Sequence, residues 1–284
     1  MKVVILGAGK VGRTLARAAR RAGLQVTLRS ARRGPPARAP RVDLWILAVR
    51  DGQLADWAGR LARARCVVDG AAVVHLAGAM GPEVLEPLSL PRALSPSRGE
   101  SGNVAIGQMH PMLSFADARR PPDLAGAHAL VAGDELAIRR ARSFCKSVGL
   151  VPRVWEDADL ALYHAAGAVL ANGAAALGAV AGEALKAAGA PPGDIGAVLG
   201  PLLRSVADNI EHLGLPQALT GPIRRGDAAT VTGHLSQIKK LPPASRALYR
   251  AAARKQIEMA EVLGDATRAA LDATAVVLRS RRSS

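Results

Sequence analysis

The stretch Val3-Val4-Ile5-Leu6-Gly7-Ala8-Gly9-Lys10-Val11-Gly12 decides how this chain folds. Four consecutive apolar residues that stop at a glycine read as a short strand buried on both faces. Val11, Leu15, Ala18, Ala19 and Ala22 then recur at helical spacing. Between strand and helix the glycines fall as GxGxxG, the context in which that motif binds a dinucleotide. Gly7 allows a tight turn, Gly9 lets the backbone approach a pyrophosphate, and Gly12 lets the helix pack close to the strand. The helix start offers free N–H groups and the positive end of a dipole to the phosphates. Gly7, Ala8, Gly9, Lys10, Val11 and Gly12 are therefore the predicted cofactor turn.

Working outward, the pattern repeats. Gln25–Leu28, Asp43–Val49 and Cys66–Asp69 are further short apolar runs, and Val104–Gln108, Ala129–Val131 and Val151–Trp155 follow. Continuous apolar runs alternating with helical segments predict a doubly wound, mostly parallel sheet covered on both faces. The Pro-, Ser- and charge-rich stretch from Gly81 to Asn103 reads as a surface loop. From about Asp157 the strand-like runs stop. Long Ala/Leu-rich segments broken by Gly and Pro predict an all-helical second domain. The expected division is residues 1–155, a dinucleotide-binding α/β domain, and residues 156–284, a helical domain for substrate and dimerisation. The Arg/Ser-rich end, Arg279–Ser284, is expected to fray.

The end of the second strand selects the cofactor. NAD binders place a carboxylate there for the ribose hydroxyls. This chain has none from Ala22 until Asp43 and offers Arg29-Ser30-Ala31-Arg32-Arg33 instead. A guanidinium with a hydroxyl suits a 2′-phosphate, so NADP(H) is the expected cofactor, with Arg29 and Ser30 nearest the strand end. Ala48 and Val49, small residues closing the third strand, are expected to wall the cofactor. His75 follows the fourth strand, and either faces the nicotinamide or plays a structural role.

Three places offer substrate chemistry. His110 precedes Pro111, which restricts it to an extended backbone, and histidine moves a proton near neutral pH. A carbonyl or imine that receives a hydride also needs a proton, so His110 is a candidate donor. His164 and Asn172 lie eight residues apart on one predicted helix face, either bonding to another helix or holding a substrate carbonyl. The loop Leu219-Thr220-Gly221-Pro222-Ile223-Arg224-Arg225-Gly226-Asp227 combines turn residues with two arginines. Arg225 suits a carboxylate, with Thr220 beside it, while Asp227 fits an N-cap of the next helix.

Composition bounds the rest. The 284 residues carry 38 Lys and Arg against 23 Asp and Glu, a formal charge of +15, and only 2% aromatics. Single-strand nucleic-acid binding uses aromatics interleaved with cations, so the surplus charge does not point to nucleic acid. It favours an anionic cofactor and a small anionic substrate. Cys66 and Cys145 form neither a disulfide framework nor a zinc motif, and no metal site is expected. They fit reduced thiols in a cytoplasmic protein. Ala165 to Gly182 carries no charge but is mostly Ala and Gly with Asn172 inside, so a helix buried within the helical domain is expected, not a membrane span.

These residues resemble a bacterial group of Rossmann-like proteins with a C-terminal helical domain of unknown function. The segments that carry the resemblance are Gly7–Gly12, Asp43–Asp51, Val74–Gly78, His110-Pro111, Tyr163–Asn172, Leu219–Asp227 with Thr230, His234-Leu235 and Tyr249-Arg250. The group is similar to 6-phosphogluconate dehydrogenase-like enzymes, including β-hydroxyacid dehydrogenases, ketopantoate reductases, pyrroline-5-carboxylate reductases and prephenate dehydrogenases. The resemblance implies a homodimer that reduces a small oxo or imino acid with NADPH, ketopantoate being the best single guess. The chain departs from a Lys–Asn pair used by several relatives: its helix offers His164, Ala168 and Asn172, so His164 would replace the lysine. Met109-His110-Pro111-Met112 is also similar to the His-Pro-Met of prephenate dehydrogenases. A non-catalytic NADP-binding regulator or scaffold remains the alternative, because fold alone does not fix function.

Overall fold

The structure is a computed structural model and describes residues 1–89 and 104–279. The second half of the predicted 81–103 loop and the predicted frayed end beyond residue 279 lie outside the described residues. The chain divides into two compact units, Met1–Ala171 and Asn172–Ser284.

The first unit is built on a seven-stranded sheet. Its strands are β1 (Lys2–Leu6), β2 (Gln25–Arg29), β3 (Leu44–Leu47), β4 (Ala72–His75), β5 (Ala105–Pro111), β6 (His128–Gly133) and β7 (Val151–Arg153). Their spatial order is β2-β1-β3-β4-β5-β6-β7. All neighbours run parallel except β5 and β6. The doubly wound, mostly parallel layout expected from the sequence is present. β1 lies between β2 and β3, so the chain reverses direction across the sheet at β1, and ligands of such sheets bind beyond the carboxyl ends of strands at this point.

Period-two alternation explains the unbroken apolar runs. Val3, Ile5, Leu44, Ile46, Ala72 and Val74 face one side, packed with Leu15, Ala16 and Ala19 of α1 (Lys10–Arg21) and with Ala137, Ala141 and Phe144 of α4 (Glu135–Ser147). Val4, Leu6, Trp45, Leu47 and Val73 face the other, packed with Leu54, Trp57, Ala58 and Leu61 of α2 (Leu54–Arg63) and Leu88 of α3 (Glu86–Ser89). β1, β3 and β4 are thus apolar on both faces, which a sheet covered by helices on both sides permits.

The fourth strand corrects the sequence expectation. Cys66–Asp69 is not a strand: Cys66 and Val67 are buried, but the chain turns at Asp69-Gly70. Gly70 has φ +74° and separates two short apolar runs, of which Ala72–His75 pairs with β3 and β5. β5 is also longer than expected and carries His110 within the strand, opposite Leu130.

The helix α5 (Leu160–Ala187) begins in the first unit and ends in the second. The expectation that it is buried on all sides is wrong for the single chain. None of its residues is fully buried, and Leu162 and Val169 are 69% and 75% exposed. By length and composition alone it is long and apolar enough to cross a membrane.

The second unit continues with α6 (Ile195–Leu213), α7 (Ala228–Ile238), α8 (Pro243–Leu263) and α9 (Arg268–Arg279). Ile223, Val231, Leu235, Ala253, Ile257 and Leu278 form its core. Arg250 of α8 donates through Nη1 to the Leu278 carbonyl, one of the unpaired acceptors at the end of α9.

Candidate active site

The glycine turn sits at the carboxyl end of β1. Gly7 has φ +119°, and a Cβ there would stand 2.1 Å from the Ala48 carbonyl oxygen. A Cβ on Gly12 would stand 1.9 Å from the Gly7 carbonyl oxygen and 3.3 Å from the Ala48 Cβ. Strand, turn and helix therefore meet at distances that only glycine tolerates. Gly9 differs: a Cβ there would meet nothing within 4 Å. No side chain caps α1, its first turn holds no acid, and Lys10 is exposed. This end has N–H donors and positive charge facing outward, which fits a dinucleotide pyrophosphate. Ala8 is fixed through its carbonyl, which accepts from Arg13 Nε at 2.8 Å. Val11 and Ala48 pack against the core beneath the turn, and Val49 packs on the opposite face of the sheet.

Arg29 closes β2 but is turned onto its own loop. Its Nε donates to the Gly34 carbonyl at 2.7 Å, and its Nη2 donates to those of Arg33 and Pro35 at 3.1 and 3.0 Å. Ser30 caps the short turn Ala31–Arg33 by accepting from the Arg32 N–H. The preference for Arg29 over its neighbours therefore needs correction. Arg29 chiefly shapes the loop, while Arg32 and Arg33 present exposed guanidinium groups.

Beyond β4 and β5 three histidines are drawn together. His75 is fully buried. Its Nδ1 accepts from the Ala77 N–H at 3.2 Å, which leaves the ring hydrogen on Nε2 to donate to the Gly81 carbonyl at 3.0 Å. Burial pushes its pKa down. With both nitrogens taken by backbone, His75 holds the 76–81 loop and is not free to face the nicotinamide. Two further contacts fix that loop. Gln108 on β5 donates to the Ala77 carbonyl at 2.7 Å, and Glu83 accepts from the Gly81 N–H at 3.1 Å.

Gly78 occupies the centre of the loop. A Cβ on it would lie 2.4 Å from His164 Nδ1 and 2.8 Å from His110 Nε2. The two imidazoles thus converge beside one backbone atom, with ring centroids 5.8 Å apart. Tyr163 completes the group, its hydroxyl 3.1 Å from His110 Nδ1. Burial, then the nearby His164, pushes the His110 pKa down to about 4. His110 is therefore uncharged at neutral pH. His164 is exposed to solvent. Gly78, Gln108 and Tyr163 were not singled out from sequence. A glycine in the run Leu76-Ala77-Gly78-Ala79, just beyond a strand, was the available signal for the first.

The remaining predicted residues belong to the second unit. Asn172 on α5 is exposed. In the 219–227 loop the two arginines differ. Arg224 donates to the Leu219 and Gln217 carbonyls at 2.7 and 3.1 Å and pairs with Asp265 at 2.6 Å. Arg225 and Thr220 are exposed. Asp227 caps α7, accepting from the Thr230 N–H at 2.9 Å.

The mostly parallel sheet with its strand–glycine–helix turn agrees with what comparison finds. Residues 30–97 match a Rossmann-like domain, and residues 127–256 match a domain of unknown function, DUF2520. The chain joins a Rossmann-like domain to a DUF2520 domain. The DUF2520 match begins at β6 and runs into α8, so it includes His164, Asn172, Thr220 and Arg225. Among solved structures, a protein from Thermotoga maritima is 18% identical, with a TM-score of 0.63, covering 92% of this chain and 99% of that one. A 1-pyrroline-5-carboxylate reductase from Streptococcus pyogenes is 14% identical, TM-score 0.58, covering 92% and 98%. A pyrroline carboxylate reductase from Plasmodium falciparum, solved with NADP bound, is 10% identical, TM-score 0.56, covering 98% of both. The Rossmann–DUF2520 chain shares the fold of these proteins. No protein of curated function matches the sequence.

Proposed function

We propose that this chain is an NADP(H)-dependent oxidoreductase that reduces a small anionic 2-oxo or imino acid, ketopantoate being the first to test. The observation that carries the proposal is the convergence of His110 and His164 on Gly78, at the end of the sheet that also bears the glycine turn. The fold shared with pyrroline carboxylate reductases, one of them solved with NADP bound, supports it. Residues 7–12 would hold the pyrophosphate. Ser30 with Arg32 and Arg33, on a loop braced by Arg29, would meet the 2′-phosphate. NADPH supplies a hydride when bound.

The protein's own task is then the proton and the substrate. His110, kept neutral by burial, cannot store a proton at pH 7. His164, open to solvent, is the proposed proton donor, and His110, held beside it by Tyr163, shapes the pocket around that ring. Asn172 orients the substrate, and Arg225 with Thr220 binds its carboxylate.

The exposed apolar side chains of α5 and α6 support a homodimer. Leu162, Val169 and Leu170 in the first unit, and Leu202 and Leu203 in the second, are all more than half exposed. Large apolar side chains left this exposed call for a covering surface, and a second copy supplies one without any lipid. A cytoplasmic location fits two buried cysteines that form no disulfide.

Stopped-flow NADPH oxidation with 2-oxo acids and cyclic imino acids tests the activity. Turnover that falls sharply in His164→Ala and Arg225→Met is expected. Tight NADPH binding without turnover of any acid would instead favour the non-catalytic NADP-binding protein.

A further inference from the structure

His234 and Tyr249 lie in segments that carry the resemblance but have no role in the proposed reduction, and the second unit places them together. His234 Nδ1 lies 3.1 Å from the Tyr249 hydroxyl, and the rings meet edge to face at 6.3 Å. The pair lies on the wall of a groove of about 620 Å³ between α5, α7 and α8. Leu177, Val180, Ala181, Ala184, Ile238 and Leu241 make up its apolar lining. This volume lies in the range of small-ligand sites, and an apolar wall with a few convergent polar groups is their usual make-up.

The polar end has an unshared donor whichever way its hydrogens lie. If Tyr249 donates to Nδ1, the ring hydrogen sits on Nε2 and has no partner among the described residues. If Nδ1 donates to Tyr249, the phenol hydrogen is the one left over. Gln256, also on the wall, adds an amide that makes no hydrogen bond among the described residues. None of the lining residues is acidic; in sequence they are flanked by Lys239, Lys240 and Arg246 and also by Glu183, whose carboxylate accepts from Ser245. The spare donors call for an acceptor, which a carboxylate supplies, and the apolar wall calls for a hydrocarbon body.

We propose that this groove is a second ligand site, separate from the histidine pair of the first unit, that takes a small amphipathic carboxylic acid with its carboxylate on His234 and Tyr249. A second copy of the chain seated here would bury the spare donor unless it brought its own acceptor, whereas a free acid supplies one.

The test uses the full chain and three probes of equal length: octanoate, octanol and octylamine. Ligand titrations are followed by NMR at the His234 imidazole, assigned by its loss in His234→Gln, and by calorimetry. Octanoate is expected to saturate one site per chain and shift the His234 signal. It should bind at least tenfold tighter than octanol, and octylamine should not bind. His234→Gln should weaken octanoate roughly tenfold and leave octanol unchanged. Ala181→Trp should remove octanoate binding while NADPH binding persists, which keeps this outcome separate from the proposed reductase activity. If Ala181→Trp does not fold, the His234→Gln comparison decides. Equal binding of octanol and octanoate, octanoate binding unchanged in His234→Gln, or competition between octanoate and NADPH would overturn the proposal. So would a dimer that fails to bind octanoate and is split by Ala181→Trp, which would make the groove a contact between copies.

Discussion

Gly78→Ala asks the most of the candidate site. The added methyl would stand 2.4 Å from His164 Nδ1 and 2.8 Å from His110 Nε2, where an ordinary contact begins near 3.4 Å. His164 must then retreat by about 1 Å and His110 by about 0.6 Å. Gly78 is not in the left-handed region, so alanine fits its backbone without strain. The damage falls on two side chains and not on the fold. Misplacing reacting groups by ~1 Å lowers rates on the order of a hundredfold, or roughly 2.7 kcal/mol of barrier. The assay is single-turnover NADPH oxidation with an acid that the wild-type chain reduces, alongside NADPH binding by fluorescence. The expected result is a hundredfold slower turnover with NADPH affinity unchanged. On the His164→Ala background the methyl should cost clearly less, since only the smaller displacement of His110 is left. A Gly78→Ala protein that turns over at the wild-type rate would refute the placement of the chemistry. So would one whose loss persists in full on the His164→Ala background.

Three further outcomes follow from the same geometry. Gly12→Ala sets a methyl 1.9 Å from the Gly7 carbonyl oxygen, so NADPH affinity should fall by more than roughly a hundredfold, at least about 2.7 kcal/mol, as read by fluorescence titration. Arg224→Met removes three contacts of a partly buried guanidinium and should lower stability by roughly 1–3 kcal/mol in urea titrations, whereas Arg225→Met should leave the urea midpoint alone and raise KM for the acid. His110 titrates near 4 when folded and near 6.5 when unfolded, so between those pH values the unfolded chain binds the extra proton. Stability should therefore drop as pH falls through this window, by about 3 kcal/mol from this one group, and thermal melts of His110→Gln should show a shallower acid slope.

The sheet was legible because its strands are short, apolar on both faces and punctuated by glycine. The fourth strand was the exception. Cys66–Asp69 and Ala72–His75 have the same composition, and only pairing with β3 and β5 selects the second. The glycine turn was legible in full, since the demand for glycine at positions 7 and 12 is local. Arg29 was not. Composition marks a cation at a strand end, but whether it reaches outward or folds onto carbonyls at Gly34 and Pro35 depends on a loop that sequence does not specify. His75 and His110 looked alike in sequence, each on an apolar run, and their partners separate them. Both nitrogens of His75 are taken by backbone, while His110 meets Tyr163 and His164, which lie more than fifty positions away. The exposed α5 has a related origin: its uncharged Ala-rich stretch, residues 165–182, reads as buried, but composition does not say what packs against it, and in the single chain none of its residues is fully buried.

Passage of a hydride from NADPH to a small acid at the histidine pair can be followed by isotope transfer. The full chain is incubated with NADPH deuterated at the transferred position and a mixture of 2-oxo and cyclic imino acids, and the products are read by mass spectrometry. One hydroxy or amino acid product heavier by a single deuterium is expected, lost in His164→Ala. No deuterated product from any acid, with NADPH bound tightly, would contradict that transfer.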